Sequence, residues 1–150
     1  TEIVGTISQN PLDDRFLLFN VDPQTLPSNT LNPVTAVINP QRSAPGAGLP
    51  QATAGTRYLL TAAIGSVKNE VPYAATAWTN NGVALVANAN DVIQYDGAIW
   101  YVDFNSRAAT ETQFLTNLTT SVQYRYDPAE QMWVKSYEGY YDGGQWSLVL

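Results

Sequence analysis

One pattern is written three times in the chain: Tyr95-Asp96-Gly97-Ala98-Ile99-Trp100, Tyr126-Asp127-Pro128-Ala129-Glu130-Gln131-Met132-Trp133 and Tyr141-Asp142-Gly143-Gly144-Gln145-Trp146. Each copy has a tyrosine, an aspartate opening a turn, and a tryptophan on the way back. That is the signature of a β-hairpin with an aromatic on each strand. Three hairpins so close together predict an all-β fold: an antiparallel meander, folded as a sandwich or a small barrel.

The turn chemistry predicts a register for each copy. Asp96-Gly97 suits a two-residue type I′ loop, which sets Tyr95 opposite Ala98 and Ile93 opposite Trp100. Pro128 sits where a type I turn wants a fixed φ, so a four-residue loop from Pro128 to Gln131 sets Tyr126 opposite Trp133. The third copy closes on either Asp142-Gly143 or Gly143-Gly144. The second and third copies share a strand from Met132 to Tyr141. Tyr95, Trp100, Tyr126, Trp133, Tyr141 and Trp146 are the expected aromatics of the scaffold, each cross-strand pair worth roughly 0.2–1 kcal/mol. Upstream, further strands are expected at Arg57 to Ala63, Ala74 to Trp78, Val83 to Ala87, Val92 to Tyr95 and Ala98 to Phe104. Residues from Ser106 on read as a loop into a strand near Thr112 to Leu115.

The first third of the chain is different. Seven of the nine prolines fall between residues 11 and 50, and only two of the seventeen aromatics, Phe16 and Phe19, precede residue 51. Proline lacks the N–H that a helix interior or a sheet ladder needs. Short strands are expected at Ile3 to Ile7, Phe16 to Val21 and Val34 to Ile38. Residues 1–50 read as an extended proline-rich arm or a loop-rich edge, and residues 51–150 as the antiparallel β domain. A segment this poor in core residues lies across its own domain or across a neighbour. Phe16, Phe19, Pro23, Pro27, Pro33, Pro40, Pro45 and Pro50 are the candidate assembly contacts. Deleting residues 1–50 is expected to spare the fold and abolish assembly.

Little in the chain suggests reaction chemistry. It has no His and no Cys, so the commonest general base, the commonest transition-metal ligand and every thiolate site are missing. Asp96, Asp127 and Asp142 recur at equivalent positions and are expected to cap their own turns. A calcium or glycosidase role would require carboxylates that converge, and separate hairpin tips do not. Asp13-Asp14 are adjacent and should diverge. We expect no enzyme, no cofactor and no metal. Net charge −6, with seven Lys and Arg, gives no footprint for nucleic acid. No apolar run approaches the roughly 18 residues of a membrane helix. No signal peptide is visible, and a chain starting at Thr1 has lost its initiator Met or is an excised piece. Charged residues make up only 13 %, about half the usual share, which suits a protein that assembles edge to edge. The Tyr and Trp rings could instead form a sugar-stacking platform, but core packing is the role expected of the repeated Trp side chains. Asn117-Leu118-Thr119 matches the glycosylation pattern.

Gly55-Thr56-Arg57-Tyr58-Leu59-Leu60, a tryptophan strand, Asn90-Asp91-Val92-Ile93-Gln94-Tyr95-Asp96-Gly97-Ala98-Ile99-Trp100 and the repeated hairpins resemble a module of tailed-bacteriophage virion proteins. The resemblance covers residues 50–150 and lies in the order of the motifs. It implies a structural component of the virion, in the tail, neck, baseplate, fibre or head. The implied partners are other virion proteins and copies of itself. A glycan-binding, receptor-recognising fibre module is the alternative that it allows.

Overall fold

The computed structural model describes residues 3–65, 78–80 and 82–137. The chain divides into two compact units, Thr1–Pro27 with Ser136–Leu150, and Ser28–Lys135. The fold is all-β. In the first unit, β1 (Gly5–Gln9) and β2 (Leu17–Val21) form an antiparallel ribbon of two strands. In the second, β3 (Ala36–Ile38), β4 (Ala44–Pro45), β5 (Gly48–Leu49), β6 (Arg57–Leu60), β7 (Thr79–Asn80) and β8 (Val83–Ala84) come first. Then follow β9 (Val92–Tyr95), β10 (Trp100–Phe104), β11 (Gln113–Asn117), β12 (Val122–Asp127) and β13 (Met132–Lys135). The main sheet has the order β10-β9-β6-β3, and β11-β12-β13 is a three-stranded meander.

The main sheet is apolar on both faces, because strand parity sends alternate residues to opposite sides. Tyr58, Leu60, Ile93, Trp100, Ala36 and Ile38 face one core, completed by Ile64, Trp78, Leu85, Ala87 and Ala44. Leu59, Val92, Val37 and Phe104 face the other, where they meet Leu115, Tyr126, Tyr124 and Trp133 of the meander. The two sheets thus pack face to face on that side. Residues 30–38 close one flank by running from sheet to sheet. The N–H groups of Thr30 and Leu31 donate to Phe114 O, and Val34 N donates to Thr116 O, before Ala36–Ile38 pair with β6. Both pairings of this segment are parallel. That departs from the wholly antiparallel scaffold expected. A parallel neighbour needs a long return, and residues 39–56 supply it.

A β-bulge shapes the second core. Val102 opposes Ile93 but Phe104 opposes Val92, so Asp103 is the extra residue. A bulge re-aims side chains. Here it brings the Asp103 carboxylate to Arg57 while Phe104 stays in the aromatic cluster with Tyr126 and Trp133, ring centroids 5.2 and 5.4 Å away. Arg57 is buried. Its Nη1 donates to Gln94 Oε1 at 2.6 Å and to Asp103 Oδ2 at 2.5 Å. The pairing at Nη1 offsets part of the cost of burying this charge, while Nε and Nη2 are buried without a hydrogen-bond partner.

The hairpins are partly as expected. Tyr126 opposes Trp133 across the loop from Pro128 to Gln131. The earlier hairpin is wider than a type I′ turn: Tyr95 opposes Trp100, and four residues form the loop. The cause is Asp96, whose Oδ1 accepts from the N–H of Ala98 and of Ile99, both at 2.8 Å. The slip of two residues leaves Ile93, Tyr95 and Trp100 on one face, as expected. β13 ends at Lys135, short of the strand expected to Tyr141, and Ser136–Tyr137 turn instead. The third hairpin, with Tyr141 and Trp146, and most of the strand expected at residues 74–78 lie outside the described residues.

Proline-rich residues 28–50 belong with the second unit, so the units do not divide at the compositional step near residue 50. Val34, Ile38, Pro40 and Ala44 are all buried. A deletion of residues 1–50 removes these buried side chains, so it should cost the second unit its core rather than spare the fold.

Asp91 ties these parts together. It is 1 % exposed, and its carboxylate accepts from Asn88 N at 2.8 Å, Ser106 N at 2.8 Å and Ser106 Oγ at 2.7 Å. Asp91→Ala leaves those donors without an acceptor and should cost about 3 kcal/mol or more of unfolding free energy. Tyr126→Phe, which removes only the donation from Tyr126 OH to Ser106 O, should cost about 1 kcal/mol; urea titration of both variants checks the ranking. Burial pushes the hydroxyls of Tyr58 and Tyr126 above the ordinary value of 10.0, with the charges of Asp91 and Asp127 adding at Tyr126. A raised folded value means that the stability is fully present below that ordinary value and is lost as pH rises through the folded one. In an alkaline titration the phenolate absorbance of these two residues should therefore appear at higher pH in the folded chain than in the unfolded one.

Candidate assembly surface

The register of the ribbon sorts its side chains. Gly5 opposes Val21, Ile7 opposes Phe19, and Gln9 opposes Leu17, all on one face. Thr6 with Asn20, and Ser8 with Leu18, take the other. The first face is apolar but for Gln9. The second is mostly polar and carries a hydrogen bond from Asn20 Nδ2 to Ser8 Oγ at 3.0 Å. The apolar face is in solvent: Ile7 is 56 % exposed, Leu17 68 % and Phe19 48 %, with Leu12 at 95 % and Phe16 at 61 % in the adjoining loop. A two-stranded ribbon is marginal on its own in water, so leaving this face uncovered is costly.

Local devices shape the ribbon. At its open end Val4 N donates to Thr25 Oγ1 at 3.0 Å and Asp22 N donates to Val4 O at 2.7 Å. Asp22 caps the short 3₁₀ turn Pro23–Thr25 by accepting from Gln24 N. At the closed end Asp13 accepts from Arg15 through its N–H, Nε and Nη2. The Arg15 side chain first, then its backbone N–H, hold the Asp13 carboxyl below its ordinary value. Gly5 is required by close approach. A Cβ there would run into the carbonyl of Asn20 and lie 2.7 Å from the Phe19 ring, which covers the glycine. Residues 9–15 also enclose an open hollow of about 580 Å³, lined only by this one loop.

The candidate contacts are scattered. Phe16 and Phe19 are exposed at the ribbon. Pro23 is exposed and Pro27 half-buried in the same unit. Pro33 and Pro50 are exposed, Pro45 is half-buried, and Pro40 is deep in the second unit, where its carbonyl accepts from Trp78 Nε1 at 3.4 Å. The structure sets Phe19 opposite Ile7, on the same ribbon face as Leu17, and sequence reasoning passed over both of those residues, while Phe16 and Leu12 are exposed in the joining loop. The signal was present: Leu17, Phe19 and Val21 share a parity, and Ile7 sits in an alternating strand.

The scaffold aromatics are packed against one another. Trp100 lies 5.1 Å from Tyr95, 5.6 Å from Tyr58 and 5.0 Å from Trp78, centroid to centroid. Tyr126 and Trp133 lie 5.2 Å apart. The ring faces of Trp78 and Trp100 are buried and offer no platform to a sugar. Asp96 and Asp127 cap their turns, Asp127 Oδ1 accepting from Ala129 N and Glu130 N. The two backbone donors at Ile99 and Ala98 hold the exposed Asp96 carboxyl below its ordinary value. Asn117 is buried with its Oδ1 accepting from Thr119 N, so the glycosylation pattern is a turn cap. Among the described residues no group of three or more His, Cys, Asp or Glu could hold a metal ion, and no helix is long and apolar enough to cross a membrane.

No protein-family model, curated protein or solved structure matches the chain. Gly5→Ala should disturb the ribbon alone, by roughly 1–3 kcal/mol. Amide hydrogen exchange should speed up across residues 5–9 and 17–21 while protection across β9 to β12 stays unchanged.

Proposed function

We propose that this chain is a non-enzymatic structural component of a tailed-phage virion and that it works by protein–protein assembly. The observation that carries the assembly reading is the exposed apolar face of the β1–β2 ribbon, in a chain poor in charge. Contiguous apolar area of this kind marks an interaction site more often than a free surface. The phage assignment rests on the ordered motifs of residues 50–150. Burial of Trp78 and Trp100 favours assembly over glycan binding.

Deleting residues 1–27 should leave cooperative unfolding of Ser28–Lys135 intact and prevent incorporation into particles. Deleting residues 1–50 should abolish the cooperative transition itself. Both are read by thermal melting and by the protein content of purified particles. Normal incorporation of the shorter deletion would defeat the assembly reading.

A further inference from the structure

The chain holds two aspartyl–prolyl bonds, Asp22–Pro23 and Asp127–Pro128. A bond of this kind is labile in mild acid. The aspartyl carboxyl can attack its own backbone carbonyl, and the proline nitrogen is basic enough to leave as an amine. We infer that Asp22–Pro23 is a self-cleavage site that the folded chain activates. Cleavage there would sever residues 1–22, which hold both strands of the ribbon, from the rest of the chain. The inference goes beyond the assembly reading and does not depend on it.

The carbonyl oxygen of Asp22 accepts two hydrogen bonds from one residue, from Thr25 N at 3.0 Å and from Thr25 Oγ1 at 2.8 Å. Two donors on one carbonyl oxygen stabilise the oxyanion that forms when that carbonyl is attacked. The hydroxyl is itself held in place, because Val4 N donates to Thr25 Oγ1 at 3.0 Å. Bonds in series polarise one another, so pairing at the open end of the ribbon strengthens the donor. Thr25 Oγ1 also lies 3.3 Å from Val4 O, but its single proton favours the shorter bond to Asp22. The nucleophile is in the same residue. Asp22 Oδ1 accepts from Gln24 N at 3.0 Å, and Asp22 and Pro23 are exposed, so water reaches the bond.

In the reaction Asp22 Oδ2 bonds to the backbone carbonyl carbon of Asp22 and closes a five-membered anhydride. The C–N bond to Pro23 breaks, and the carboxyl proton passes to the nitrogen, which leaves as a secondary amine. Water then opens the anhydride and frees both carboxyl groups of Asp22. One water is consumed, and nothing is oxidised or reduced. At Asp127–Pro128 the N–H groups of Ala129 and Glu130 converge on the carboxylate Oδ1 instead. They stabilise the attacking group rather than the oxyanion, which makes the second bond an internal control.

The test holds the full chain at the lowest pH at which circular dichroism still shows the native fold and follows fragments by mass. Fragments 1–22 and 23–150 should appear about tenfold faster than fragments 1–127 and 128–150. In urea at the same pH the two rates should converge. Thr25→Val removes the hydroxyl donor and should slow the first cleavage about tenfold, leaving the second unchanged. Thr25→Ser keeps the hydroxyl and should cleave as the wild-type chain does. Gly5→Ala, which disturbs the ribbon that holds Val4, should slow the first cleavage too. Asp22→Asn retains a capping oxygen but lacks the acid, and should abolish it. Equal rates at the two bonds of the folded chain overturn the inference. So does a preference that persists unchanged in urea, indifference to Thr25→Val, or a folded chain that cleaves at neither bond.

Discussion

The second unit depends on one buried carboxylate. Asp91 sits at the end of the turn before β9, and its three donors belong to that turn and to the 3₁₀ turn Ser106–Ala108 after β10. The same two turns then reach the other sheet. Ser106 O accepts from Tyr126 OH at 2.6 Å, and Asn90 O accepts from Trp133 Nε1 at 2.9 Å. Asn90 Nδ2 returns a bond to Gln131 O, closing the circuit at the second hairpin loop. A charge taken this far from water persists only where its lone pairs are filled. Filling them fixes how the main sheet and the meander meet, an orientation that the apolar contacts of the shared core leave free.

The bulge at Asp103 solves a second problem of the same kind. The face between the sheets must hold both the aromatic cluster and a cation, Arg57. A regular β10 would send adjacent residues to opposite faces. The extra residue lets Asp103 and Phe104 serve the same side. Polar groups inside this fold thus follow from backbone irregularities that place their partners, and the aromatics fill the space around them.

The hairpin pattern was readable because its causes are local. Asp-turn-Trp spacing identifies Tyr126 opposite Trp133, and parity holds even where the Asp96 loop is wider than its Asp-Gly pair suggests. Residues 28–50 could not be read in the same way. Their value to the core comes from Val34, Ile38, Pro40 and Ala44 meeting partners far away in sequence, and no local composition reports that. The ribbon is an intermediate case. Its strands and parity were available, and Phe16 and Phe19 were found by their rarity. The exposure of its apolar face cannot be read from the strands themselves.

The path of residues 30–38 has a consequence for how the molecule is made. The first residues of this early segment bond far along the chain, Thr30 to Phe114, 84 positions later, and Val34 to Thr116, before Ala36–Ile38 pair with β6. Such contacts close large loops before they return any stabilisation, which slows folding. On the ribosome, the segment emerges long before β11 and must wait for it. A chain with open β-edges during that wait is exposed to wrong pairings. Pro33 takes one free N–H donor out of the waiting backbone, between the donors of Leu31 and Val34 that bond in the finished fold.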